Sequence, residues 1–245
     1  MDVRSRFMRT EMLLGVAGMA RLAGASVAVF GIGGVGSFTA EALARAGVGH
    51  LTLVDNDCVD VTNINRQIHA CTDTIGMPKV EAMTARIHGI NPHCKVTGMQ
   101  AFYLPENADD FFAQRYDYVV DAVDTVSAKI DLARRCCARG IPIISSMGAA
   151  NKLDPTLFEV LDIYETKVDP LARVMRKKLK EYNVPHLKVV CSLERPQHPT
   201  GGKEPPAPGR NSVPGSVSFV PPVVGMIMAG EVIRDLLGIH VEVSA

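Results

Sequence analysis

Ser26-Val-Ala-Val-Phe30 runs into Gly31-Ile-Gly33-Gly34-Val-Gly36, then into Ser37-Phe-Thr-Ala-Glu-Ala-Leu-Ala-Arg-Ala46, and on to His50-Leu-Thr-Leu-Val54-Asp55. The first run is short, apolar and rich in valine, and reads as a buried strand. The third has helical spacing and stops at Gly47. The last is a second strand closing on a carboxylate. A strand–turn–helix–strand unit of about thirty residues is the size of a βαβ repeat. Gly31-x-Gly33-x-x-Gly36 in that turn matches the dinucleotide fingerprint in its proper place. Glycines there let a phosphate approach the backbone, and the following helix points free N–H groups at it. Asp55 lies nineteen residues after Gly36 and can accept hydrogen bonds from ribose hydroxyls. The expected role is nucleotide binding. The fingerprint does not separate NAD from ATP, and glycines at such turns also serve packing.

The pattern continues outward. Lys79 to Ile90 and Ala128 to Arg139 read as helices; Lys95 to Met99, Tyr116 to Val120 and Ile141 to Ser145 read as strands. This alternation predicts an α/β fold, a doubly wound and mostly parallel Rossmann-like sheet. Strand ends at Gly31, Asp55 and Asp121 should converge, because ligands of such sheets sit beyond the carboxyl ends of strands. Beyond Gly148 we expect a strand over Leu157 to Ile163, a basic helix over Asp169 to Tyr182, a strand over Leu187 to Cys191 and a buried helix over Val223 to Leu237. Ser192 to Ser216 is dense in proline, glycine and charge, and reads as a mobile loop. The expected organisation is one domain over residues 1–245: an N-terminal arm and helix (1–25), a nucleotide-binding core (26–150) and a C-terminal part for substrate and dimer contacts (151–245), with the flexible loop at 192–216.

Composition narrows the class. Of 245 residues, 47% are hydrophobic and 21% charged, which is globular rather than disordered. Lys plus Arg and Asp plus Glu both number 26, so a chain-wide electrostatic grip on nucleic acid is excluded while a local patch is not. None of the six cysteines forms a Cys-x-x-Cys pair, which argues against a zinc ribbon or a dithiol redox site. Residues 1–10 lack the apolar segment of a signal peptide, and the longest apolar stretch, 217–230, is too short to span a membrane. A cytoplasmic protein is expected. No Gly-x-x-x-x-Gly-Lys-Ser/Thr occurs, so a P-loop enzyme is excluded.

Several polar residues exceed what NAD would need. Asn63-Ile-Asn65-Arg66-Gln67 follows the second strand. Arg66 can grip a triphosphate, and Asn63 can orient phosphate or metal-bound water. Lys79 opens a helix, where a cation opposes the dipole; an anionic ligand would justify it, although alone it reads as a surface lysine. Asp121 and Asp124 flank a strand end. One carboxylate there can hold Mg2+ on phosphates and the other can cap the next helix. Asp124 is the favoured metal carboxylate, and Asp57 is a candidate near the ribose.

Taken in order, Gly31-x-Gly33-Gly34-Val-Gly36-Ser37, Leu53-Val-Asp55-x-Asp57, Asn63-x-Asn65-Arg66-Gln67, Gly76-x-Pro78-Lys79 and Asp121-Ala-x-Asp124 resemble the ATP-adenylating superfamily of ubiquitin-activating enzymes. Within it, the segment Ser145 to Thr156, the missing Cys-x-x-Cys pairs and Arg6-Phe-Met-Arg9-Thr10 resemble the tRNA threonylcarbamoyladenosine dehydratase family. The likeness is weakest over 192–216.

That resemblance implies a homodimer in which Arg9 reaches the neighbour's ATP, with Arg66, Lys79, Asp124 and Arg9 as the catalytic set. It implies ATP, Mg2+ and a monovalent cation (K+ or Na+) as cofactors. Gly31, Gly33, Gly34, Gly36, Asp55, Asp57, Asn63 and Asp121 would complete the nucleotide site. The implied reaction adenylates the threonyl carboxylate of threonylcarbamoyladenosine in tRNA, releases pyrophosphate, and closes a ring with loss of AMP. Arg173, Arg176, Lys177, Lys178 and Lys180 form the best tRNA patch, joined by Lys188, Lys203 and Arg210, although the wet face of a helix would look the same. Cys191 reads as a buried hydrophobe rather than a thioester nucleophile. The alternative is adenylation of the C-terminal carboxylate of a small ubiquitin-like sulfur carrier. A non-catalytic NAD sensor is a third reading.

Overall fold

The computed structural model describes residues 3–201 and 214–241. Its strands are β1 (Ser26–Phe30), β2 (His50–Val54), β3 (Lys95–Met99), β4 (Tyr118–Asp121), β5 (Ile143–Ser146), β6 (Phe158–Asp162) and β7 (Lys188–Ser192). They form one seven-stranded sheet in the order β3-β2-β1-β4-β5-β7-β6. All pairings are parallel except β6 with β7. The α-helices are α1 (Val3–Gly24), α2 (Gly36–Ala46), α3 (Lys79–Ile90), α4 (Ala108–Phe111), α5 (Val126–Arg139), α6 (Pro170–Glu181) and α7 (Val220–Leu237). The expected α/β architecture is therefore the one observed.

The unbroken apolar run of β1 has a direct cause. Val27 and Val29 join a core with Leu43 of α2, Met83 of α3 and Met228 of α7. Ala28 and Phe30, pointing the other way, join Phe111 and Leu132. A strand covered on both faces cannot afford polar alternation. A third cluster sets Met175 and Leu179 of α6 against Val189 and Cys191 of β7. Helix α7 begins at Val220, three residues earlier than expected. Pro221 and Pro222 occupy its first turn, where a missing N–H costs no hydrogen bond.

Strand β1 lies between β2 and β4. The chain leaves it toward β2 and β3 and later crosses to β4 on the other side. That reversal opens a crevice at the carboxyl ends of β1 and β4, the usual ligand position in such sheets. Part of the loop expected to be mobile, residues 202–213 with Lys203 and Arg210, lies outside the described residues. Its last residues are held. Gly215 donates its N–H to Asn151 Oδ1 at 2.6 Å and accepts from Asn151 N at 2.8 Å, and Asn65 Nδ2 donates to the Ser216 carbonyl at 3.1 Å. Asn151 is left-handed at φ 58°, a conformation asparagine tolerates better than most residues. Among the described residues no helix is long and apolar enough to cross a membrane.

Candidate active site

A cavity of about 480 Å³ fills that crevice. The glycine turn forms its floor, and the glycines have different reasons to be there. A Cβ on Gly36 would lie 1.8 Å from the Gly31 carbonyl oxygen, and one on Gly31 would lie 2.5 Å from that of Ala122. These two are demanded by close backbone approach. Gly33 is not: the nearest atom to its added Cβ would be Gln67 Nε2 at 4.0 Å. Gly33 lines the cavity, so a bound group, not the protein, would exclude a side chain there.

Asp55 locks the turn. Its Oδ2 accepts from Ile32 N at 2.6 Å and its Oδ1 from Asp57 N at 2.9 Å. Burial raises its pKa, and the Lys79 ammonium opposes the rise. Lys79 is buried rather than a surface lysine. Its Nζ donates to Asp57 Oδ2 at 2.7 Å and lies 3.9 Å from Asp55 Oδ1. The cation at the start of α3 is thus already offset by two carboxylates, one of them Asp57, whose oxygen faces Lys79.

The crossover after β2 supplies the other wall. Asp60 and Asn63 form a reciprocal cap on the 3-10 turn Val61–Asn63, which fixes the entry to Arg66 and buries Asn63 at the cavity. Arg66 donates to the Thr62 carbonyl at 2.9 Å and to Asn65 Oδ1 at 2.8 Å. No carboxylate among the described residues pairs with it, and burial lowers its pKa, though a guanidinium stays charged. A half-buried arginine without an acid partner, beside an open glycine turn, can serve as an anion site.

Asp124 lines the cavity and is exposed; Thr125 Oγ1 donates to its Oδ1 at 3.4 Å. Such a carboxylate can share a divalent cation with a bound polyphosphate.

The ThiF family model matches residues 6–245. The chain belongs to the ThiF family. It is 48% identical over 240 residues to the tRNA threonylcarbamoyladenosine dehydratase of Bacillus subtilis, covering 95% of this chain and 94% of that one. The Escherichia coli tRNA N6-threonylcarbamoyladenosine dehydratase, solved in complex with ATP, superposes with a TM-score of 0.86 at 36% identity, covering 96% of this chain and 95% of that one. Its AMP complex gives the same values. The resemblance drawn from the motifs is thus correct: within the ThiF family the chain belongs with these dehydratases.

Several predicted residues of this ThiF chain sit differently from expectation. Asp121 is fully buried and does not line the cavity. Its Oδ2 accepts from Lys129 Nζ at 3.1 Å and Ser145 Oγ at 2.5 Å, and its Oδ1 from Val123 N at 3.2 Å. It neither faces a ligand nor caps α5, whose N-cap is Thr125; a buried carboxylate needs these partners for itself. Arg9 is no departure: expected to reach a second copy's site, it is exposed on α1 and outside the cavity of its own chain.

The basic patch shrinks. Arg176 turns its guanidinium onto the Thr166 carbonyl at 2.8 Å, Lys178 pairs with Glu181 at 2.9 Å, and Lys180 Nζ stands over the Tyr164 ring at 5.5 Å. Lys188 is held by Asp235 at 2.6 Å and Glu231 at 3.1 Å. Arg173 and Lys177 remain as exposed cations on α6. Cys191 is buried, and burial pushes its thiol up to about 11, which leaves it protonated and a poor nucleophile.

Lys129 escaped the sequence reading. It is 1% exposed, and its Nζ also donates to the Ser146 carbonyl at 2.7 Å and Ser145 Oγ at 3.3 Å. The available signal was a lysine on the same helical stripe as Leu132 and Cys136, where an uncompensated charge would be costly. Lys152 is a second buried cation, donating to the Glu194 carbonyl at 2.8 Å with Asp169 at 3.8 Å.

Proposed function

We propose that this chain is an ATP-dependent tRNA-modifying enzyme that adenylates a carboxylate and thereby dehydrates threonylcarbamoyladenosine, beside the tRNA anticodon, to a ring. The observation that carries the reading is Arg66, a half-buried guanidinium without an acid partner among the described residues, lining together with the open Gly33 a cavity at the switch point of the sheet.

A carboxylate is a poor electrophile because its leaving group would be oxide. Attack of the threonyl carboxylate on the α-phosphate of ATP makes an acyl-adenylate and releases pyrophosphate. The carbamoyl group of the same modification then attacks the activated carbonyl and expels AMP. Tethering gives it a high effective molarity, so no enzyme nucleophile is needed. The protein's part is electrostatic. The turn from Gly31 to Gly36 with Gly34 cradles the phosphates, Asp55 takes the ribose, and Asn63 helps orient the polyphosphate. Arg66 and Lys79 spread the charge that develops, with Lys79 exchanging Asp57 for phosphate. Asp124 would hold Mg2+, an ion that needs only one or two protein carboxylates beside phosphate oxygens and that neutralises phosphate charge.

Arg9 would act from a second copy in a homodimer. Its arm supports this: Met8, Met12, Leu13 and Val16 of α1 are 53–88% exposed, an apolar set that a second copy would cover. We place the enzyme in the cytoplasm with its tRNA, which Arg173 and Lys177 would contact through phosphates.

The test is incubation with ATP, Mg2+ and tRNA carrying threonylcarbamoyladenosine, followed by mass analysis of the nucleoside. Loss of one water with release of pyrophosphate is expected. Absence of pyrophosphate would refute the reading. Pyrophosphate exchange stimulated by a small Gly-Gly-tailed protein, and not by tRNA, would move it to sulfur-carrier activation.

A further inference from the structure

Asn151 ties together stretches of chain that are far apart in sequence. Its carbonyl accepts from Gln197 N at 2.7 Å, its N–H donates to the Gly215 carbonyl at 2.8 Å, and its Oδ1 accepts from Gly215 N at 2.6 Å. It does this from a left-handed backbone, φ 58°, which a short amide side chain tolerates better than most. Asn151 does not line the cavity, whereas Ala149, Ala150, Pro214 and Ser216 beside this junction do.

The junction leads to Arg66. The Ser216 carbonyl, next to Gly215, accepts from Asn65 Nδ2 at 3.1 Å, and Asn65 Oδ1 accepts from Arg66 Nη1 at 2.8 Å. The two ends of that amide cannot be exchanged. Turned over, Nδ2 would face a guanidinium and Oδ1 a carbonyl, donor against donor and acceptor against acceptor. The Ser216 carbonyl therefore fixes which way the Asn65 oxygen points. Arg66 Nη1 also donates to the Thr62 carbonyl at 2.9 Å, so both its hydrogens are taken. The stem is confined as well: a Cβ on Gly34 would lie 3.3 Å from Arg66 Cγ and 3.0 Å from Pro221 Cβ. Among the described residues Nε and Nη2 of Arg66 hold no partner. They form an edge of the guanidinium that can grip an oxyanion with two parallel bonds.

We propose, resting on the ATP site of the function above, that Asn151 is a positioning residue for Arg66. By pinning residues 214–216 it fixes the Asn65 amide, and so holds the Nε–Nη2 edge of Arg66 ready for the polyphosphate. A guanidinium placed in advance loses less freedom when the anion binds, and a donor aimed in advance needs no reorganisation as charge develops. Asn65 and Arg66 belong to the stretch Asn63 to Gln67 shared with the wider superfamily. Asn151 and Gly215 lie outside that stretch and brace it from the C-terminal part of the chain.

The experiment is a double-variant cycle read as ATP affinity in calorimetry, on the full-length protein with Mg2+. Asn151→Gly keeps the left-handed backbone and deletes Oδ1. Asn151→Asp keeps an acceptor in that place, and any effect of its charge is present with and without Arg66. Arg66→Met alone should lower ATP affinity roughly ten-fold or more. That factor should be unchanged in the Asn151→Asp background and roughly five-fold smaller in the Asn151→Gly background. A packing defect unconnected with Arg66 would lower affinity equally with and without Arg66 and leave the factor as it was. Asn151→Ser, whose hydroxyl falls short of Gly215 N, replaces Asn151→Gly should that variant not fold. An Arg66→Met factor that is the same in Asn151→Gly or Asn151→Ser as in wild type overturns the proposal. Wild type that binds ATP but releases no pyrophosphate with modified tRNA would sink the proposed function and leave this inference standing on the cycle. Wild type that does not bind ATP removes both.

Discussion

Lys129→Met removes the cation that meets the buried Asp121. The carboxylate is 0% exposed and Lys129 1%, so water cannot replace the ammonium. Asp121 would keep the Ser145 hydroxyl at 2.5 Å and the Val123 N–H at 3.2 Å, and the Ser146 carbonyl would lose its donor at 2.7 Å. Breaking one side of a buried pair costs about 3–5 kcal/mol. In urea the midpoint should fall by roughly 1 M or more with an unchanged slope. Asp121→Asn in the same chain should recover a large part of the loss, since a neutral amide need not be paired with charge. A functional effect should appear beside the structural one. Asp121 pins Val123 N and so shapes the turn that presents Asp124; the Mg2+ concentration for half-maximal activity should rise in Lys129→Met more than the tRNA requirement does. Equal stability of Lys129→Met and wild type, or an additive rather than compensating double variant, would refute the reasoning.

Gly33→Ala should leave the unfolding free energy within roughly 0.5 kcal/mol of wild type while weakening ATP binding in calorimetry. Gly36→Ala, whose Cβ would lie 1.8 Å from the Gly31 oxygen, should not fold. His69 is 3% exposed with neither ring nitrogen bonded, and burial, then Lys79 and Arg86, push its pKa down to about 4. The unfolded chain therefore binds a proton that the folded chain refuses between pH 6.5 and about 4. Stability should be complete above that window and fall by about 3 kcal/mol as pH drops through it, a slope that His69→Leu should remove. Arg173→Glu with Lys177→Glu should weaken tRNA binding roughly ten-fold at low salt and flatten its salt dependence, with ATP affinity unchanged in calorimetry.

What was legible in the sequence depended on whether one local cause was enough. The β1–turn–α2 unit was readable because its reasons lie in the backbone: apolar residues on both strand faces, glycines where a Cβ would strike a carbonyl, and a carboxylate at the next strand end. Side-chain roles were readable only when no distant residue competed for them. Lys79 looked like a cation awaiting an anion, and the structure supplies Asp57 at 2.7 Å. Arg176, Lys178 and Lys188 counted as free positive charge, yet Thr166, Glu181 and Asp235 hold them. Asp121 and Asp124 show the limit most clearly. Three residues apart and chemically identical, they end on opposite sides of the cavity wall, because Lys129 and Ser145, on α5 and β5, converge on Asp121 alone. That convergence needs α5 and β5 to be packed against β4, and no spacing in the chain encodes it. The same reasoning accounts for Gln67. Asn65 bonds both Arg66 and the Ser216 carbonyl, so the wall beside Gln67 exists only once the segment 214–216 has packed against the crossover after β2.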